Sequence, residues 1–130
     1  MYLSKFTDYS YRILMYLGKH PNEIFTVEEL SSILDLSTHH IKKIIYKLAK
    51  NGYICSSKGR NGGIKLGMEP CEINLGKLLE LTEELNIVEC FSQKTNSCNM
   101  NEGCKLKFII SDAFNEFKLK ISNYTLADII

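Results

Sequence analysis

Six residues, Lys58-Gly59-Arg60-Asn61-Gly62-Gly63, restrict this chain more than any other stretch. Half of them are glycine, so no helix runs through them. The flanking runs, Tyr53 to Ser57 and Ile64 to Leu66, favour extended backbone. A β-hairpin with a basic tip follows. Upstream, hydrophobic periodicity predicts three short helices. The first spans Asp8 to Lys19, with Tyr9, Ile13, Tyr16 and Leu17 near helical spacing, and stops at His20-Pro21-Asn22. The second opens on a capping box, Thr26-Val27-Glu28-Glu29, and turns Leu30, Ile33 and Leu34 inward. Asp35-Leu36-Ser37 makes a tight turn. The third helix sets Ile41, Ile44, Ile45 and Leu48 on one face and ends at Asn51-Gly52, where glycine accepts a left-handed backbone. Two helices, a short turn, a helix and a hairpin is the order of a winged helix-turn-helix.

The second half reads differently. Glu69-Pro70 breaks the chain, and Asn74 caps a fourth helix with Leu75, Leu78 and Leu79 inward. Residues 90–104 are polar, cysteine-bearing and aperiodic. A long helix then runs from about Lys105 to about Ile121, with a stripe of Leu106, Ile110, Ala113, Phe117 and Ile121 widened by Ile109 and Phe114. One small head cannot cover that much apolar surface, which implies a partner helix. Thr125 to Asp128 offers another capping box. The expected fold is therefore mainly α with a small β-hairpin wing: a DNA-reading head over 1–67, then a cysteine loop and dimerisation helix over 68–130, all in one compact unit.

Charge follows the same division. Residues 1–67 carry ten Lys/Arg against five Asp/Glu, and residues 68–130 carry six against ten. A basic head beside an acidic second half fits a polyanion partner for the head alone. The start of the chain lacks the apolar core of a signal peptide, and no run approaches a membrane span, so a cytoplasmic location and no membrane partner are expected. Cysteines there stay reduced, and five is an odd count for a disulfide framework.

In a helix-turn-helix the third helix enters the major groove N-terminus first. Here that end is Ser37, Thr38, His39 and His40, followed by Lys42, Lys43, Lys47 and Lys50. Lys43, Lys47 and Lys50 are expected to share the face opposite the isoleucines. Hydroxyls and imidazoles donate to base edges or phosphates, lysines neutralise phosphate, and Arg60 at the hairpin tip suits a narrow minor groove. A lysine stripe by itself is equally at home as a solvated helix face. The ordered combination of tri-helix, hairpin and basic tip is what points to double-stranded operator DNA.

Cys90, Cys98 and Cys104 are spaced C-x7-C-x5-C, with Gly103 helping the backbone wrap a ligand. Three thiolates on one loop suit soft metals or an iron–sulfur cluster. Structural zinc prefers C-x2–4-C pairs and four protein ligands, and no histidine follows His40, yet zinc and plain packing remain alternatives. Cys55, in a wing strand, and Cys71, beside Pro70, read as packing residues. Asp8 reads as the N-cap of the first helix. No nucleophile–base pair, phosphate loop or paired-acid motif points to an enzyme, and an electron carrier has no need of the lysine-faced helix.

These stretches resemble a known family. Phe6-Thr7-Asp8-Tyr9, His40-Ile41-Lys42-Lys43-Ile44-Ile45, Gly52-Tyr53-Ile54, the segment from Lys58 to Gly67, Cys104-Lys105-Leu106-Lys107 and Asn123-Tyr124-Thr125-Leu126-Ala127-Asp128 are similar to the iron–sulfur winged-helix repressors of bacteria, in particular their nitric-oxide-sensing NsrR branch. The resemblance implies a homodimer with a cluster near the subunit interface, 4Fe–4S in preference to 2Fe–2S. It implies Cys90, Cys98 and Cys104 as ligands and Asp8, donated by the partner subunit, as the fourth. The related cluster-biogenesis branch carries a histidine three residues after the last cysteine, where this chain has Lys107. The seven-residue first spacer is longer than the family pattern, an insertion that is cheap in closure entropy. The implied function is a repressor that releases operator DNA when nitric oxide attacks the cluster. Iron, redox or cysteine status, and a zinc or thiol-based regulator, are the competing inputs.

Overall fold

A computed structural model describes residues 1–100 and 102–130. Among them are five α-helices and one antiparallel hairpin: α1 (Lys5–Lys19), α2 (Val27–Leu34), α3 (Thr38–Lys50), β1 (Ile54–Ser57), β2 (Gly63–Leu66), α4 (Leu75–Thr82) and α5 (Lys105–Ser122). Short 3-10 turns lie at Pro70–Glu72, Glu89–Phe91 and Leu126–Asp128. The architecture is a winged helix followed by a long C-terminal helix.

Local chemistry sets most element ends. The Thr26 hydroxyl accepts from the Glu29 amide while Glu29 accepts from the Thr26 amide, the capping box read from sequence. Asp35 closes α2 in the left-handed region at φ 53°, and the Leu36 amide returns to the Ser31 carbonyl. Gly52, at φ 81°, follows α3 and lets Tyr53 N bond back to the Leu48 carbonyl. In the hairpin Ile54 faces Leu66 and Ser57 faces Gly63. Phe25 adds a short third rung: its amide and carbonyl both pair with Ile64. That rung joins residues 39 apart, and no local pattern announces it.

The apolar seam predicted for α3 is buried against α1. Ile41, Ile44, Ile45 and Leu48 pack with Ile13, Leu14 and Leu17, and the same core takes in Leu30, Ile54, Ile64, Ile73, Leu78 and Leu126. Each fully buried aliphatic side chain stabilises by about 1.5–3 kcal/mol. Residues from both halves of the chain therefore share one core. The C-terminal end of α5 is clamped to the start of α4: Asn74 Nδ2 donates to the Ser122 carbonyl, and the Leu75 amide to the Tyr124 carbonyl. A Cβ at Gly76 would overlap the Ser122 side chain, so this crossing needs glycine for closeness.

Four sequence expectations are corrected. Helix α1 starts at Lys5, because Ser4 is the N-cap and its hydroxyl accepts from the Thr7 amide. Asp8 thus lies a full turn inside the helix and caps nothing. Ile33 is 47% exposed, since α2 is only eight residues long and packs chiefly through Leu30. Cys55 and Cys71 are exposed rather than packed. Cys55 lies on the outward side of β1, whose one buried residue is Ile54. Helix α5 buries no residue, and Leu106 and Ile109 are 62% and 64% exposed. Among the described residues no helix is long and apolar enough to cross a membrane.

One bond ties α1 to α4: the Tyr11 hydroxyl donates to the Leu75 carbonyl at 2.7 Å. Burial, and secondarily the Tyr53 phenol, push Tyr11 from the ordinary 10.0 up to about 12. The unfolded chain ionises this phenol near pH 10.0 while the folded chain holds the proton until about pH 12, so stability falls as pH rises through that window. Tyr53 shifts the same way through its own burial. Tyr11→Phe is expected to lose roughly 1 kcal/mol at neutral pH and to show a shallower alkaline loss than wild type. Urea titrations at stepped pH measure both effects.

Candidate functional site

Two regions carry the chemistry-bearing residues. The first is the outward face of α3. At 100° per residue, the direction opposite Ile41, Ile44, Ile45 and Leu48 is occupied by His39, Lys43, Tyr46 and Lys50. All four are exposed. Lys42 flanks this stripe on the side of α2. Lys47 and His40 flank it on the side of α1. The Lys47 ammonium lies 5.8 Å from the Phe6 ring centroid, and the His40 ring lies 5.8 Å from Tyr9. Lys47 therefore leans onto the first helix and does not stand in one row with Lys43 and Lys50. Ser37 is the N-cap of α3, with its hydroxyl accepting from the His40 amide at 3.3 Å, and Thr38 is the first helical residue. Arg60 is exposed in the turn between the strands, which the Gly62 amide closes on the Gly59 carbonyl. Tyr46, 71% exposed among lysines, is the residue that sequence reasoning passed over. Its place outside the isoleucine pattern was the available signal.

The second region is the cysteine segment. Cys90 lies in the 3-10 turn Glu89–Phe91, Cys98 follows in irregular chain, and Cys104 is the N-cap of α5. Gly103, at φ 69°, makes the bend into that helix. The three cysteines line one cavity of about 240 Å³, together with Val88, Met100, Leu106 and Ile110. Lys107 is also in the wall.

A pair of bonds explains how the long first spacer closes. Glu89 Oε1 accepts from the Ser97 amide at 2.8 Å and from the Ser97 hydroxyl at 2.5 Å. These bonds hold the Glu89 carboxyl below the usual carboxylate range. Glu89 immediately precedes Cys90 and Ser97 immediately precedes Cys98, so the clasp draws the two cysteines together. The Cys98 amide also bonds Asn96 Oδ1 at 3.0 Å. The clasp was not read from sequence, because Glu89 and Ser97 form no recognised motif.

Asp8 stands apart from this cavity in its own chain. Both carboxylate oxygens are held by Arg12, at 3.1 Å from Nε and 2.7 Å from Nη2. The pair is well exposed, so it contributes only about 0.3–0.5 kcal/mol. Close by, the Ser4 amide donates to Glu83 Oε2 at 2.8 Å and ties the start of α1 to the end of α4. A larger cleft of about 860 Å³ opens there, lined by Met1, Tyr2, Leu79, Leu85, Phe114 and Phe117 among others.

Comparison with known proteins assigns the chain to a family. The family model for Rrf2, described as an iron-dependent transcriptional regulator, matches residues 3–130. A protein of Halalkalibacterium halodurans named HTH-type transcriptional regulator NsrR is 40% identical, with the alignment covering 100% of this chain and 90% of that one. The Bacillus subtilis protein of the same name is 37% identical, with coverages of 100% and 90%. Among solved structures, T. potens IscR superposes with a TM-score of 0.79 over 99% of this chain and 85% of its own, at 20% identity. Staphylococcus aureus CymR gives 0.73 over 95% and 93%, also at 20% identity. The two structures speak to the fold, and the full-length identities speak to kinship. By that agreement the chain belongs to the Rrf2 family of transcriptional regulators and is not an enzyme.

Proposed function

We propose that this chain is a bacterial cytoplasmic repressor that holds an iron–sulfur cluster on Cys90, Cys98 and Cys104 and releases operator DNA in response to nitric oxide. The observation that carries the reading is the single cavity lined by all three thiols. A zinc ion with Zn–S bonds of about 2.3 Å needs its sulfurs about 3.8 Å apart. Among the described residues no three His, Cys, Asp or Glu side chains form a cage for one metal ion. Thiols that frame a volume instead of a point suit a polyatomic cluster, and the apolar walls of Val88, Leu106 and Ile110 limit water around it. Cys104 ends on the N-terminus of α5, whose unpaired amides and partial positive charge favour an anionic group. The full-length likeness to proteins named NsrR favours this branch of the family.

In this reading residues 1–67 form the reading head and residues 68–130 the sensing and pairing part. The protein is a homodimer. The exposed stripe of α5 and the apolar cleft beside Phe114 and Phe117 are covered by the second subunit. Ser37, Thr38, His39, His40, Lys42, Lys43, Lys47 and Arg60 form the surface turned to DNA. Asp8 is the fourth ligand, reaching the partner's cysteine cavity. To do so it gives up at least one bond to Arg12. A cluster held there, 4Fe–4S in preference to 2Fe–2S, would supply iron as the point of reaction with nitric oxide. Once Asp8 no longer bridges the subunits, Arg12 holds it within its own helix. The head is then freed from the partner's cysteine segment. Two heads must sit about one DNA turn apart to engage both half-sites, so a small change in their spacing costs affinity. The signal acts only through its different effect on the two states.

Anaerobic titration of the purified protein with nitric oxide tests the reading. The expected result is a brown protein, with about four irons per chain, whose visible band collapses at a few equivalents per cluster and which then leaves promoter DNA. A colourless protein after cluster reconstitution refutes the cluster, and a brown protein indifferent to nitric oxide refutes the signal. Asp8→Ala is expected to leave a folded dimer with a more labile cluster and a blunted response, because an exposed ion pair contributes little to folding; gel filtration and the same titration read this out. Lys43→Ala should lower the slope of log affinity against log salt by about two, one for each head of the dimer. Lys47→Ala should lower it less, since its ammonium already rests on Phe6; equal slopes for the two variants would contradict the geometry.

A further inference from the structure

The α3 face contains one residue that phosphate neutralisation does not account for. Tyr46 is 71% exposed in the middle of the outward stripe. Among the described residues no hydrogen bond or ring contact holds it. A single exposed tyrosine is ordinary, but one continuous with an apolar cleft rimmed by polar residues marks a contact surface. Beside it lies a cleft of about 380 Å³, lined by Val27, Ile45, Tyr46 and Ala49 with Lys42 and Lys50 at its rim. The floor is apolar and the rim is cationic. A negatively charged partner that also presents a small apolar group fits both.

We propose that Tyr46 and this cleft read a thymine, taking its C5-methyl group in the major groove of the operator. The inference rests on the DNA-binding reading above and deepens it. Charge complementarity selects the partner. Lys42 and Lys50 line the cleft and Lys43 is exposed on the same helix, so the duplex backbone is drawn to this side. Among base edges in the major groove, the thymine methyl is the one apolar feature, and apolar side chains discriminate it. Lysines recognise charge without sequence. An aromatic ring with two rotatable bonds adds selectivity at small entropic cost. The position of Tyr46, two turns into α3 from Thr38, leaves the first turn for other base or phosphate contacts.

The test uses the full chain and a duplex that wild-type protein enriches from a random pool. Each thymine is replaced singly by deoxyuridine, which removes the C5-methyl and nothing else. One position per half-site is expected to weaken wild-type binding about fourfold, the value of one buried methyl-sized group. Tyr46→Phe should keep that discrimination. Tyr46→Ala should bind thymine and uracil duplexes alike, and Tyr46→Gln repeats this arm with a longer side chain that also favours the helix. Circular dichroism checks that each variant is folded. A flat uracil scan with wild-type protein overturns the assignment. So does undiminished discrimination by Tyr46→Ala, or a uniform loss in Tyr46→Phe on both duplexes, which would make the phenol a phosphate donor. If wild-type protein enriches no duplex, the DNA-binding reading itself fails, a result distinct from all of these.

Discussion

Burial of the isoleucine face of α3 against α1 is the interaction on which the remaining structure depends. Ile41, Ile44 and Leu48 are fully buried with Ile13, Leu14 and Leu17. Because a helix has two faces, fixing the inner one fixes the outer one. The stripe of His39, Lys43, Tyr46 and Lys50 is held outward by the packing behind it. The hairpin joins the same core through Ile54 and Ile64, and Phe25 pins Ile64 from the other side. The chain's last turn returns Leu126 to this core. Under the proposed function, the surface that presents polar groups to a polyanion is thereby held by apolar groups behind it.

The cysteine segment is organised by the opposite means. None of its described residues joins the core cluster. Its closure rests on the Glu89–Ser97 clasp and the bend at Gly103. Such bonds are exposed and individually weak. A segment held this loosely suits a role in which ligand binding supplies much of its order, as metal and cluster sites commonly do. Under the proposed function its shape would answer to the bound cluster, while the head answers to its own packing.

Helix α1 belongs to both regions. Its inner face supplies the head's core. Its polar side carries Asp8 and Arg12, and its ends and flanks meet α4 through Ser4–Glu83 and Tyr11–Leu75. Under the proposed function, a change at Asp8 in one subunit is felt by a helix that is rigidly packed to α3. No long chain of intermediates is needed, since one packed helix connects the ligand position to the reading surface.

Much was legible in the order of residues alone. Capping at Thr26 and Asn74, the four-residue seam of α3, the glycine-rich turn and the long amphipathic stripe after Cys104 are all local. A local pattern needs only helical or strand periodicity to act, so the element order, the wing and the three cysteines were determined by sequence. What lies between distant residues was decided by the tertiary structure. The Phe25–Ile64 rung, the exposure of Cys55 and Ile33, and the turning of Lys47 onto Phe6 each depend on which faces meet across the fold. Asp8 shows the difference most directly. Spacing suggested a capping position for it, but the Ser4 hydroxyl takes the Thr7 amide and leaves Asp8 one turn inside with Arg12. Periodicity assigns a residue to an element, but only packing selects among competing partners. The reason is that contacts between elements depend on three-dimensional distance, which spacing along the chain does not encode.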